Sequence, residues 1–205
     1  MKNTMFNLKP LPMKPFLKIF WIAVVLLSGC VFSSSTGGSG SFGIRSPSDQ
    51  DLASININSD EISVKLTDGT LVGVAKRSDK RKYYNSSNTM IYAVKMDDDG
   101  FKLRDGNEQL IWKIKLYDDK LKISNNEEMI SAYEIKLREG KLKLERNETE
   151  IKSIRLSETE EWYPIEDRYK VKGFGISLAP GILMINDLKE AEKFIIMAEL
   201  AKRNR

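Results

Sequence analysis

The sequence predicts a mainly β protein: an antiparallel β-meander of about 20-residue hairpin units, closing into a roughly 12-stranded barrel around a C-terminal hydrophobic helix. Three observations predict it. Apolar and charged residues alternate strictly in Lys102-Leu103-Arg104, Lys113-Ile114-Lys115-Leu116 and Lys141-Leu142-Lys143-Leu144-Glu145, the period of strands with one dry face and one wet face. Turn residues separate these runs: Asp105-Gly106-Asn107, Asp118-Asp119, Asn125-Asn126, Glu139-Gly140 and Arg146-Asn147, with Gly and Asn able to take positive φ. Near the end, Phe194, Ile195, Ile196, Met197, Leu200 and Ala201 make the second half of a helical segment apolar nearly all round, the mark of a buried helix.

The chain opens with a leader, residues 1–29. Lys2, Lys9 and Lys14 precede Phe16–Leu27, which is apolar apart from Lys18. That run is short for a membrane span and suits the core of a secretory signal. Leu27-Ser28-Gly29-Cys30 follows it directly. This tetrad resembles the lipobox of bacterial lipoprotein signal peptides. The resemblance implies that Leu27, Ser28 and Gly29 are read by the signal peptidase and that Cys30 receives diacylglycerol. It also implies a membrane partner through that cysteine and an address in the bacterial cell envelope. Two or three acyl chains anchor stably, at about 0.8 kcal/mol per buried methylene. Val31 stands where an aspartate would resemble an inner-membrane retention signal, which favours an outer membrane where the organism has one. Met13 is an alternative start to Met1 and gives a tidier signal.

Residues 30–50 read as the lipidated cysteine and a Ser/Gly-rich flexible tether. At about 5–6 Å times the square root of its length, it spans roughly 25 Å.

The barrel domain is expected over residues 51–205. A first strand, Leu52–Ile57, precedes five hairpin copies: Ile62–Lys76, Lys82–Met96, Phe101–Leu116, Leu121–Leu137 and Leu142–Leu156. Asp68-Gly69 in the first copy is a strong hairpin signal, and the second copy is degenerate with a longer turn. Ser157–Lys172, with its acidic run and Pro164, reads as a loop. Within it Trp162 and Tyr163 are either an exposed binding pair or a lid folded back on the core. Tyr169–Phe174 supplies a last strand, and Gly173–Ile185 is apolar and glycine-rich. Asp187 and Glu190 have capping-box spacing for a helix over 187–203.

A large sheet has an apolar face to cover and edges to hide, and a helix that is apolar nearly all round needs full cover. A barrel threaded by the helix satisfies both. With Asp68-Gly69, Asp105-Gly106 and the strands after them, residues 51–205 resemble the tubby-like C-terminal fold and its LURP-one and scramblase relatives. That resemblance implies a twelve-stranded barrel around a central hydrophobic helix. Some of those relatives bind acidic lipid through basic barrel surface, but none of their individual ligand residues has a match here.

Composition excludes several chemistries. The 205 residues include no histidine and one cysteine, so there is no Ser-His-Asp or Cys-His device and no histidine metal site. No phosphate-binding glycine loop is present, and no cofactor is expected. Asp97-Asp98-Asp99-Gly100 hints at calcium, but an EF-hand register would put Lys95 at the first ligand and Gly106 at the last, so the motif fails. The four lysines before Cys30 account for the net charge of +4, and the remainder is balanced at 29 basic and 29 acidic residues; a nucleic-acid partner is not expected.

The functional expectation is a lipid-anchored, non-catalytic binding or scaffold module, its protein or envelope ligand unnamed. One alternative is contact with an anionic surface through basic strand exteriors, namely Lys102, Arg104, Lys113, Lys115, Lys122, Lys136 and Lys143, with Lys152 and Arg155 beside them. Another is a glycan-active hydrolase using paired carboxylates.

Overall fold

The structure is a computed structural model, and it describes residues 40–77, 79–157 and 159–203, with the side chains of Lys76 and Arg77 set aside. The leader, the lipobox Leu27-Ser28-Gly29-Cys30 and the first part of the tether lie outside the described residues.

Alternation does what the sequence implies. The chain runs through β1 (Gly40–Arg45), β2 (Asp51–Ile57), β3 (Glu61–Leu66), β4 (Gly69–Arg77), β5 (Lys80–Tyr84), β6 (Met90–Asp97) and β7 (Gly100–Asp105). It continues through β8 (Leu110–Leu116), β9 (Lys120–Ser124), β10 (Tyr133–Arg138), β11 (Lys141–Arg146) and β12 (Thr149–Arg155). Two short strands, β13 (Tyr163–Ile165) and β14 (Tyr169–Lys172), a 3₁₀ turn (Ala179–Met184) and α1 (Glu190–Lys202) complete it. All fourteen strands form one antiparallel sheet, nearly closed into a barrel. β1 to β12 pair in sequence order, β14 pairs with β1, and β13 pairs with β14.

The free edges are therefore β12 and β13. Side chains span the seam where backbone pairing stops: Lys152 Nζ on β12 donates to Glu166 Oε2 at 3.0 Å and to the Met184 carbonyl at 3.3 Å.

The strand count exceeds the sequence expectation by two, and both additions have a physical reason. β1 lies inside the segment read as tether. Its outward position Gly43 carries no side chain, so only Phe42 and Ile44 signal a buried face, Ile44 being fully buried and paired opposite Ala53. β13 lies inside the segment read as loop. Pro164 lacks an N–H, which a strand tolerates at a sheet edge, and its neighbours Tyr163 and Ile165 are buried.

α1 runs through the barrel. Phe194, Ile195, Ile196, Met197, Ala198 and Leu200 are all at 0% exposure, so the helix is covered all round, by the strands and by the buried 3₁₀ turn that packs on it. Its start differs from expectation. The helix begins at Glu190 behind the cap residue Lys189, whose backbone N–H donates to the Glu192 carboxylate at 3.1 Å. Asp187 does not cap it; that carboxylate accepts from the Tyr133 hydroxyl at 2.7 Å and so ties the helix entry to β10.

Three charged residues of α1 are also buried. Glu199 Oε1 accepts from Arg81 Nε at 2.9 Å and from Tyr83 Oη at 2.8 Å, both on β5. Burial pushes the Glu199 carboxyl up, while Arg81 and Tyr83 pull it down. Glu192 accepts from the Trp112 indole N–H at 2.9 Å. Among the described residues Lys193 has only weak hydrogen-bond partners: the Tyr169 hydroxyl and the Leu183 carbonyl, each at 3.5 Å. Buried polar groups need directed partners, so Arg81, Tyr83 and Trp112 fix the rotation and depth of the helix.

Candidate functional site

With the interior filled by α1, a ligand has to be met on the outer surface. Among the described residues a groove of about 530 Å³ lies over β1, β2 and β3, within the usual range for ligand sites; a second recess, of about 550 Å³, lies over Asp97, Asp98, Asp99, Lys113 and Lys115 and has no aromatic wall. The wall of the groove is the indole of Trp162, and half-buried Leu52 and Leu66 add apolar surface. Ser41, Ser54 and Thr67 bring hydroxyls to it.

Local sequence explains this shape. Gly43 presents bare backbone outward on β1, and the benzo edge of Trp162 rests there; a Cβ at Gly43 would fall 2.5 Å from Trp162 Cη2. The chain enters β13 directly after Trp162, so the pairing of β13 with β14, and of β14 with β1, delivers the indole to that spot. Tyr163 points the other way, as alternation along a strand requires: it is 3% exposed, and its hydroxyl donates to the Gly175 carbonyl at 3.0 Å. The Trp162-Tyr163 pair is thus split, one ring outside and one in the core.

Three cations line the groove. A shift of register between β1 and β2 sets Asp51 opposite Arg45, and Arg45 Nε donates to Asp51 Oδ1 at 2.6 Å while its guanidinium stacks 4.1 Å from the Trp162 ring centre. Lys172 Nζ lies 5.9 Å from the same ring and pairs with Glu161, a hydrogen bond that holds the Glu161 carboxyl below its usual range. Lys65 lines the groove with no ion-pair partner among the described residues. Asp51 is the one carboxylate among the described lining residues.

The basic strand exteriors are arranged differently. Register places like charges directly opposite: Lys95 faces Lys102, Lys102 faces Lys113, Lys115 faces Lys122, and Lys136 faces Lys143. Such pairs repel, and acids gather to offset them. Glu127 takes Lys102 at 2.8 Å, Lys113 at 3.3 Å and Arg104 at 3.8 Å. Asp99 takes Lys115 at 2.8 Å, Glu134 takes Lys122 at 2.6 Å, Glu145 takes Lys136 at 2.5 Å and Glu150 takes Lys143 at 2.7 Å. The Lys115 partner belongs to the Asp97-Asp98-Asp99 turn, whose Asp97 also lies 3.8 Å from Lys102. All seven cations expected to meet an anionic surface therefore already hold a carboxylate.

Of the groove residues, sequence reasoning singled out Trp162 alone. Gly43 and Arg45 fell in the apparent tether, and Lys65 and Lys172 looked like ordinary strand exteriors. The available signal was the Ser-Phe-Gly-Ile-Arg alternation of residues 41–45.

Comparison with known proteins gives no match: no family model fits the chain, and no curated protein or solved structure is significantly similar to it.

Proposed function

We propose that this chain is a lipid-anchored protein of the bacterial cell envelope, on the outer membrane where one exists, acting as a non-catalytic binding module whose ligand lies in the groove walled by Trp162. The anchor is Cys30, read from the Leu27-Ser28-Gly29-Cys30 tetrad. The barrel around a helix is the part of the architecture that a tubby-like kinship would share; that kinship adds no ligand residue to the reading.

The observation that carries the binding role is the groove itself. An indole is held edge-on against bare backbone, with three cations around it, on a barrel whose interior its own helix occupies. Asp51 is held by Arg45 at 2.6 Å and faces no second carboxylate among the lining residues, whereas glycoside hydrolysis requires a facing pair. The basic exteriors support surface contact less, because each of those seven cations holds a carboxylate, whereas Lys65 in the groove has no ion-pair partner among the described residues.

Two measurements test the reading. In a bacterial host, palmitate labelling and membrane recovery of the full chain are expected to vanish in Cys30→Ala; equal recovery without label would overturn the anchor. Solubilised envelope extract is expected to give a saturable change in tryptophan emission that Trp162→Phe lacks. A change of equal size in the variant, or none in either protein, would overturn the groove.

A further inference from the structure

We infer that the groove's ligand is an acidic polysaccharide, a chain of sugar rings carrying carboxylates; the inference rests on the binding role just proposed for the groove. Three features point to this chemistry. The wall is an indole, whose flat apolar face suits the C–H face of a pyranose ring. Hydroxyls from Ser41, Ser54 and Thr67 lie around it, matched to exchange hydrogen bonds with sugar hydroxyls. Lys65 is a lining cation without an ion-pair partner among the described residues, so an incoming carboxylate meets an uncommitted charge there. Arg45 and Lys172 also lie within 6 Å of the indole, but Asp51 and Glu161 already match their charge, so Lys65 is the lining cation that an incoming carboxylate would meet.

Other occupants fit less well. A peptide adding a strand needs an open sheet edge, yet β1, β2 and β3 are each paired on both sides. An acyl chain needs a dry channel, and this recess has two lysines, an arginine and hydroxyl-bearing residues in its lining. A compact anion would not use the length of a groove spanning three strands. An extended polymer of rings, each with an apolar face and an anionic substituent, uses all of it.

The test uses the full chain in nanodiscs of zwitterionic lipid, with oligogalacturonate as the probe. Its methyl-esterified form removes the charge but keeps the rings, and polyglutamate keeps the charge but removes the rings. Binding is expected for oligogalacturonate, with a loss of about tenfold or more in Trp162→Ala, as for a hot-spot aromatic, and a comparable loss in Lys65→Glu. Trp162→Phe is expected to retain part of the affinity, and Lys115→Glu, outside the groove, all of it. The ester and polyglutamate are each expected to bind far more weakly. Circular dichroism of each variant separates loss of binding from loss of fold, and Lys65→Glu alters only an exposed side chain. Equal binding of polyglutamate, or oligogalacturonate binding that ignores both Trp162 and Lys65, would overturn the inference. A Trp162-dependent response to envelope extract without oligogalacturonate binding would overturn it and leave the binding role standing; loss of both would remove the groove reading altogether.

Discussion

Gly43 and Trp162 meet so closely that the strand can carry no side chain beneath the ring: a Cβ at Gly43 would sit 2.5 Å from Trp162 Cη2 and 3.3 Å from its neighbouring ring atoms. Glycine is required here by space. Gly43→Ala is expected to lift the indole off β1, at a cost of about 1 kcal/mol, the low end for overpacking, because the ring has solvent to move into. Urea unfolding gives the stability change. Tryptophan emission is expected to shift to the red, and the response to envelope extract is expected to disappear even though the barrel stays folded.

The contact of Glu199 with Arg81 and Tyr83 predicts an asymmetric pair of variants. Removing Arg81 leaves a carboxylate buried without its counter-ion, so Arg81→Met is expected to cost about 3–5 kcal/mol. Tyr83→Phe removes one hydrogen bond to a charged group and is expected to cost about 1.5–3 kcal/mol. Equilibrium urea titration resolves the difference. An Arg81→Met variant as stable as wild type would contradict the placement of Glu199 inside the barrel.

Lys193 predicts the pH dependence. It is 1% exposed, and burial lowers its pKa to about 8, with Arg168 and Lys152 adding repulsion while Glu190 and Glu166 oppose the shift. Tyr169 and the Leu183 carbonyl also face its amine. The folded-state pKa lies below the unfolded lysine value, so the unfolded chain binds more protons between them. Stability therefore rises as pH increases from about 8 toward the ordinary lysine range of about 10.4, and that gain is lost as pH falls back through 8. Buried Tyr83 and Tyr163 have raised values, and their contribution opposes the rise above about pH 10. Lys193→Met is expected to be more stable than wild type at pH 7 and to lack most of the rise between about pH 8 and 9.5. Urea titrations across that range compare the two proteins, and identical slopes would contradict the assignment.

The seam predicts where the barrel opens first. Lys152 bonds to Glu166 and to the Met184 carbonyl across edges that share no backbone ladder. Glu166→Gln is expected to speed amide hydrogen exchange in β12 and β13 by about tenfold, leaving β7 and β8, each paired on both sides, near their wild-type rates. Uniform acceleration across the sheet would show that the ion pair has no local role.

Much of this fold was legible because period-two alternation and spaced turns are local signals. The five hairpins and the buried helix could be read from Lys-Leu alternation and from the apolar circumference of Phe194 to Ala201, which Glu199 alone interrupts. β1 and β13 could not, because their outward positions are defined by a partner elsewhere: Gly43 is small to admit Trp162, and Pro164 is tolerated because β13 is an edge. The helix cap was misplaced for a similar reason. Asp187 has a capping side chain, but Tyr133 claims it, and Glu192 reaches back to Lys189 instead. The candidate site was the least legible part. Its wall and its nearest cation are 117 positions apart in sequence (Trp162 and Arg45) and meet only through the β14–β1 pairing. The basic exteriors were conspicuous in sequence, while the acids that neutralise them come from turns and neighbouring strands that only the register brings close.

The most direct measurement is an NMR titration of the full chain in detergent micelles with oligogalacturonate. Saturable shifts are expected in the indole N–H of Trp162 and the amides of Gly43 and Lys65, while the indole N–H of Trp112, bonded to Glu192 inside the barrel, stays still. Shifts confined to Lys102, Lys113 and Lys122, with Trp162 unmoved, would contradict the account.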